Sequence, residues 1–88
     1  MSEQFDSLYR RHAGGVTQMA LKEASSLGRP DLAEDASQEA WLRMMRALRQ
    51  GRYGSERPFA PWAKTIVRRA AIDLARRERP PRRRRRQW

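Results

Sequence analysis

Asp31-Leu32-Ala33-Glu34-Asp35-Ala36-Ser37-Gln38-Glu39-Ala40-Trp41-Leu42-Arg43-Met44-Met45-Arg46-Ala47-Leu48 carries an apolar residue at every fourth position from Leu32. Leu32, Ala36, Ala40, Met44 and Leu48 recur every four residues, which places them on one face of an α-helix. Asp31 is a favoured N-cap residue, and Glu34 three positions later completes capping-box spacing, so a helix is predicted over 31–49. Its charges are sorted: Asp31, Glu34, Asp35 and Glu39 lie early and Arg43, Arg46 and Arg49 late, complementing the helix dipole. Glu39 and Arg43 stand at the i,i+4 spacing that permits an ion pair. Trp41 and Met45 fall beside the apolar stripe, and periodicity leaves open whether Trp41 belongs to the core or to a binding surface.

Punctuation on either side isolates two more helical segments. Upstream, Phe5, Leu8, Tyr9, His12, Val16, Met19, Ala20, Ala24 and Leu27 form one stripe over 3–27, with Gly28 as the stop. His12 on that stripe reads as a packing residue. Gly14 and Gly15 each cost up to about 1 kcal/mol relative to Ala, so a bend or fraying is expected there unless packing holds the helix. Downstream, Gly51 and Gly54 mark a loop, and a third helix is predicted over 59–79, with Pro61 in its first turn and Pro80-Pro81 ending it. Phe59, Trp62, Ala63, Ile66, Val67, Ala70 and Leu74 supply its apolar face, so Trp62 reads as core rather than as a base-stacking platform. Lys64, Arg68, Arg69, Arg76 and Arg77 make the rest a cationic ridge. The expected fold is all-α: a small bundle of three main helices over 1–79, followed by a disordered Arg-rich tail at 80–88.

Composition narrows the function classes. The chain has 88 residues, 20 Lys plus Arg against 10 Asp plus Glu, and a net charge of +10. Eighteen of the basic residues are arginines, and residues 76–88 carry +7 of the total, leaving +3 on 1–75. Such a balance points to a polyanionic partner, while the acidic start of the second helix points to a separate protein-binding surface. With no cysteine and one histidine, neither a thiolate nor a histidine-rich metal site is expected, and no cofactor is expected in so small a domain. Gly51-Arg52-Tyr53-Gly54 lacks phosphate-loop spacing, and nothing pairs a nucleophile with a base, so an enzyme is not expected. No apolar run has the length of a signal peptide or membrane span, so a cytoplasmic protein away from the membrane is expected.

The order of motifs resembles a known family. Residues 31–48, the glycine loop, then Phe59-Ala-Pro-Trp-Ala-Lys-Thr-Ile-Val-Arg-Arg-Ala-Ala-Ile-Asp-Leu-Ala-Arg-Arg77 are similar to region 2 of extracytoplasmic-function sigma factors of bacterial RNA polymerase. Phe5-Asp-Ser-Leu-Tyr-Arg-Arg11 resembles the start of that region, so the likeness covers residues 5–79. It implies a helical bundle that binds core RNA polymerase and recognises and melts the promoter minus-ten element. Docking on the clamp coiled coil of the largest subunit falls by resemblance to Asp35, Gln38, Glu39, Leu42, Arg43 and Met45, with Met44 beside them. Carboxylates and an amide accept hydrogen bonds from a partner's arginines, and an apolar neighbour anchors the contact.

Capture of the single-stranded non-template minus-ten DNA falls to the loop residues Arg52, Tyr53, Ser55, Glu56 and Arg57 and to Lys64, Arg68, Arg69, Asp73, Arg76 and Arg77. Single strands need stacking partners, edge-reading polar groups and a cationic track. The family commonly has Asn where this chain has Arg69, so base preference there is not carried over. Family members continue into a domain that reads the minus-thirty-five element; the resemblance therefore implies either a fragment or a stand-alone region 2 served by a separate minus-thirty-five-binding subunit. An anti-sigma factor is a further implied partner, and location at the nucleoid follows from the promoter role. Arg82–Arg86 would add sequence-independent affinity, with a log–log salt slope of about 4.5 on duplex DNA if five phosphates are touched.

Two other readings fit the same composition. One is a basic three-helix protein that inserts its third helix into a duplex major groove. The other is a protein-interaction module that occupies the polymerase clamp or an anti-sigma partner without reading DNA.

Overall fold

Two glycines end the first two helices as expected. The computed structural model describes residues 3–54 and 57–77, in the order α1 Glu3–Ser26, a 3-10 turn Pro30–Leu32, α2 Ala33–Arg49 and α3 Phe59–Arg77. After α1, the Arg29 N–H donates to Ala24 O at 2.9 Å and the Gly28 N–H to Ser25 O at 2.9 Å; after α2, Arg52 donates to Ala47 O at 2.9 Å and Gly51 to Leu48 O at 3.1 Å. Both are Schellman closures, which need a left-handed residue at the fifth position. Gly28 (φ 75°) and Gly51 (φ 69°) supply it without the cost of a Cβ.

The start of α2 departs from the expectation. Asp31 does not cap it: Pro30 opens a 3-10 turn, Leu32 takes the cap position with no side-chain hydrogen bond, and the helix begins at Ala33. The ring's fixed φ suits the first position of a helical turn, so the turn opens at Pro30, one residue before the expected cap. Asp31 accepts instead from Arg29, Nε at 3.0 Å and Nη2 at 2.8 Å. That hydrogen bond holds the Asp31 carboxyl below its ordinary pKa. The glycine pair, by contrast, leaves α1 unbroken over 24 residues. Val16, Ala20 and Ala24, all fully buried on its core side, hold it.

Each helix packs against the other two. The stripes read from sequence face inward with three adjustments: Ala47 is buried where Leu48 is half-buried, Ala71 joins Ala70 in the core, and Tyr9 and Leu27 are exposed. Among the described residues eight of the fourteen buried hydrophobic side chains are alanines, which permit close helix packing while each contact buries little apolar area.

Volume is concentrated instead at the end where α1 begins, α2 finishes and α3 begins. There Trp41, only 7% exposed, takes edge contacts from Phe5 (centroids 5.7 Å) and Tyr9 (4.9 Å), and lies 6.2 Å from Phe59. His12 stacks on Phe59 at 3.9 Å, as a packing residue should, and Phe59 meets Trp62 edge-on at 5.9 Å. Trp41 is thus a core residue.

Candidate nucleic-acid interface

The aromatic chain ends on the loop, and this is what shapes the surface beside it. Tyr53 stacks on Trp62 at 4.1 Å, and its hydroxyl donates to the Arg57 carbonyl at 2.7 Å. The loop is thereby folded against the first turn of α3, and Tyr53 has one ring face already covered. Between this loop, α2 from Glu39 to Ala47 and α3 from Pro61 to Asp73 lies an open groove of about 950 Å³. Arg43, Arg46, Arg52, Arg57 and Arg69 line it around an apolar floor of Ala47, Trp62 and Ile66, flanked by Pro58 and Pro61. Guanidinium groups around an aromatic and aliphatic floor suit a nucleotide chain, phosphates on the rim and a base face on the floor.

One wall of the groove is an ion-pair network that joins two helices. Arg43 Nε donates to Glu39 Oε2 at 3.0 Å along α2, and Arg43 Nη2 donates to Asp73 Oδ2 at 3.0 Å across to α3. All three side chains are half-buried. Burial by itself lowers the pKa of the Arg43 guanidinium, but the hydrogen bonds and charges of Glu39 and Asp73 outweigh it and raise it above the ordinary value. Arg43 therefore serves the α2–α3 contact with both ends of its fork, and Asp73, expected among the DNA contacts, is its partner.

The exposed side of α2 carries Asp35, Gln38, Leu42, Arg46 and Arg49 at steps of three and four, one line on the helix, with Met45 half-buried at its edge. Leu42 is 46% exposed, an apolar group in the middle of a polar face. Glu39 lies between this line and the groove.

Sigma-70 region 2 is the family whose sequence pattern matches this chain, over residues 8–80. The chain belongs to the sigma-70 region 2 family. No curated protein and no solved structure matches it. A region 2 domain is a transcription-initiation domain.

Arg52, Tyr53, Arg57, Arg69 and Asp73 come together at the groove or its loop, while Arg68 turns to the other side of α3, where its Nε lies 3.7 Å from Glu23 of α1. Lys64, one turn before Arg68, shares that side. Arg76 and Arg77 are exposed in the last turn of α3. Ser55 and Glu56, and the tail with Arg82–Arg86 and Trp88, lie outside the described residues. Sequence reasoning missed Arg46, Trp62 and Ile66 as groove residues. The i,i+4 pattern gave the Glu39–Arg43 pair but not Asp73, thirty residues away. Among the described residues no group of His, Asp or Glu is arranged to hold a metal ion, and no helix is long and apolar enough to cross a membrane.

Proposed function

We propose that this domain acts as an extracytoplasmic-function-type region 2 in the bacterial cytoplasm, docking on core RNA polymerase through the outer face of α2 and holding the melted non-template minus-ten strand in the arginine groove. The observation that carries the proposal is the groove itself: the guanidinium groups of Arg46, Arg52, Arg57 and Arg69 around the Trp62–Ile66 floor, with the Arg43–Glu39–Asp73 network as one wall, beside Tyr53 stacked on Trp62. Such a site rewards an unstacked base, which an intact duplex does not offer. The docking half rests on Asp35, Gln38 and Leu42, which are exposed in one line and fit a basic partner helix with an apolar anchor. Glu39 borders both surfaces, and in this reading Arg43 holds them at a fixed spacing rather than touching the clamp.

Fluorescence anisotropy with single-stranded and duplex oligonucleotides of the same promoter sequence tests the DNA half. Preference for the non-template strand is expected, and Trp62→Ala should weaken it by about 1–3 kcal/mol, the worth of one stacked base. Tighter binding to intact duplex, indifferent to Trp62, would favour major-groove insertion of α3 instead.

A further inference from the structure

The glycine pair in α1 has no use inside the fold. Gly14 and Gly15 lie in helical backbone without positive φ, and a Cβ built on either meets nothing within 4 Å. Among the described residues nothing packs on either position, yet each glycine weakens the helix by up to about 1 kcal/mol relative to alanine. Gly15 belongs to a line of its own: Arg11, Gly15, Gln18 and Lys22 follow at steps of four, three and four, all four exposed. Two chain neighbours of the line meet α3: His12, next to Arg11, stacks on Phe59, and Glu23, next to Lys22, lies 3.7 Å from Arg68. On the α3 side Lys64 and Arg68 are both exposed, and the Glu23 side chain, mostly covered, lies 3.7 Å from the Arg68 Nε. This is a second cationic face, on the opposite side of α3 from the groove, with a bare backbone at its centre.

We propose that the Arg11–Gly15–Gln18–Lys22 line, with Lys64 and Arg68, binds the phosphate backbone of double-stranded DNA adjoining the strand held in the groove, Gly15 letting the backbone come close to α1. Charge complementarity selects a polyanion, and the face selects duplex over single strand: it offers point charges and an amide spread along a helix, with no exposed aromatic ring to stack a base. The inference rests on the groove reading for what lies on the other side of α3, but its own residues are separate.

The test uses the full chain and three probes: a duplex, a single strand, and a junction of the two. Arg11→Gln with Lys22→Gln is expected to reduce the log–log salt slope by about 1.8 on the duplex and junction, two phosphates' worth, while leaving binding to the single strand as in the unsubstituted chain. Gly15→Leu is expected to raise the thermal midpoint, since the space is open and leucine favours helix, yet to weaken duplex and junction binding severalfold. A gain in stability with a loss of binding is not what a structural glycine gives. Equal losses on all three probes, or an unchanged duplex slope, would overturn the proposal. Loss of single-strand preference in the unsubstituted chain, with the duplex slope still falling in the variant, would instead overturn the groove reading alone.

Discussion

The two ends of this bundle are held together by different means. At one end seven rings, Phe5, Tyr9, His12, Trp41, Tyr53, Phe59 and Trp62, form one connected set that draws in all three helices and the loop. At the other, Ala24, Ala36, Ala70 and Ala71 let the helices close on each other around Leu32 and Leu74, and the start of α2 goes without a side-chain cap. The aromatic end carries the groove; the alanine end carries Asp35 and the acidic start of the exposed α2 face proposed for docking. The rings bring large side chains from all three helices onto Trp41 and hold Tyr53 against α3, whereas alanines let the helices pack closely and leave the outward faces free for charge.

The largest expected effect comes from removing the ring at the centre of the aromatic set. Trp41→Ala should cost about 3–5 kcal/mol, enough to unfold much of so small a domain, as read by urea denaturation. Loss below about 1 kcal/mol would mean that the rings are not the main support of that end. At the alanine end the opposite change is the destabilising one: Ala70→Leu forces a side chain into a fully buried position and is expected to cost about 1–3 kcal/mol, whereas a neutral result would mean that the helices are looser there than their burial indicates.

Arg43→Gln lies between the two ends. Losing charged hydrogen bonds to Glu39 and Asp73, in a half-exposed setting, should cost about 1–2 kcal/mol. If Arg43 acts through α2–α3 spacing, Asp73→Asn in the Arg43→Gln background should add little, a non-additivity that a double-mutant cycle reads directly.

The smallest effect is at the turn before α2. The Asp31 carboxyl titrates below its unfolded value, so its pairing with Arg29 stabilises the fold above that value and is lost as pH falls through the lowered one. Asp31 is exposed, so Asp31→Asn should flatten the acid limb of the stability curve only slightly. A large change would mean that the turn matters more than its exposure implies.

Much of this contrast was legible in the sequence, and the failures have physical causes. Four-residue spacing found each helix because helical periodicity is local, and Gly28 and Gly51 marked both stops because only a left-handed residue closes a Schellman motif. The cap at Asp31 failed because Pro30 started a turn earlier and Arg29 took the carboxylate. Trp41 was undecidable because the rings that bury it, Phe5 and Tyr9, come from a helix more than thirty residues upstream. For the same reason the sequence shows only part of the groove: Arg52, Arg57 and Arg69 stand out as basic residues, but the periodicity puts Trp62 in the core and Arg46 reads as a complement to the helix dipole. Only the packing of α2 on α3 puts them in one place.

The most direct test of the account is binding to core RNA polymerase at high salt, where the nonspecific attraction of a +10 chain is screened. Wild type should bind, and Asp35→Arg with Gln38→Ala should lose that binding while keeping single-strand affinity in the groove. Equal, salt-sensitive binding by both would contradict the docking face and leave a basic nucleic-acid-binding domain in its place.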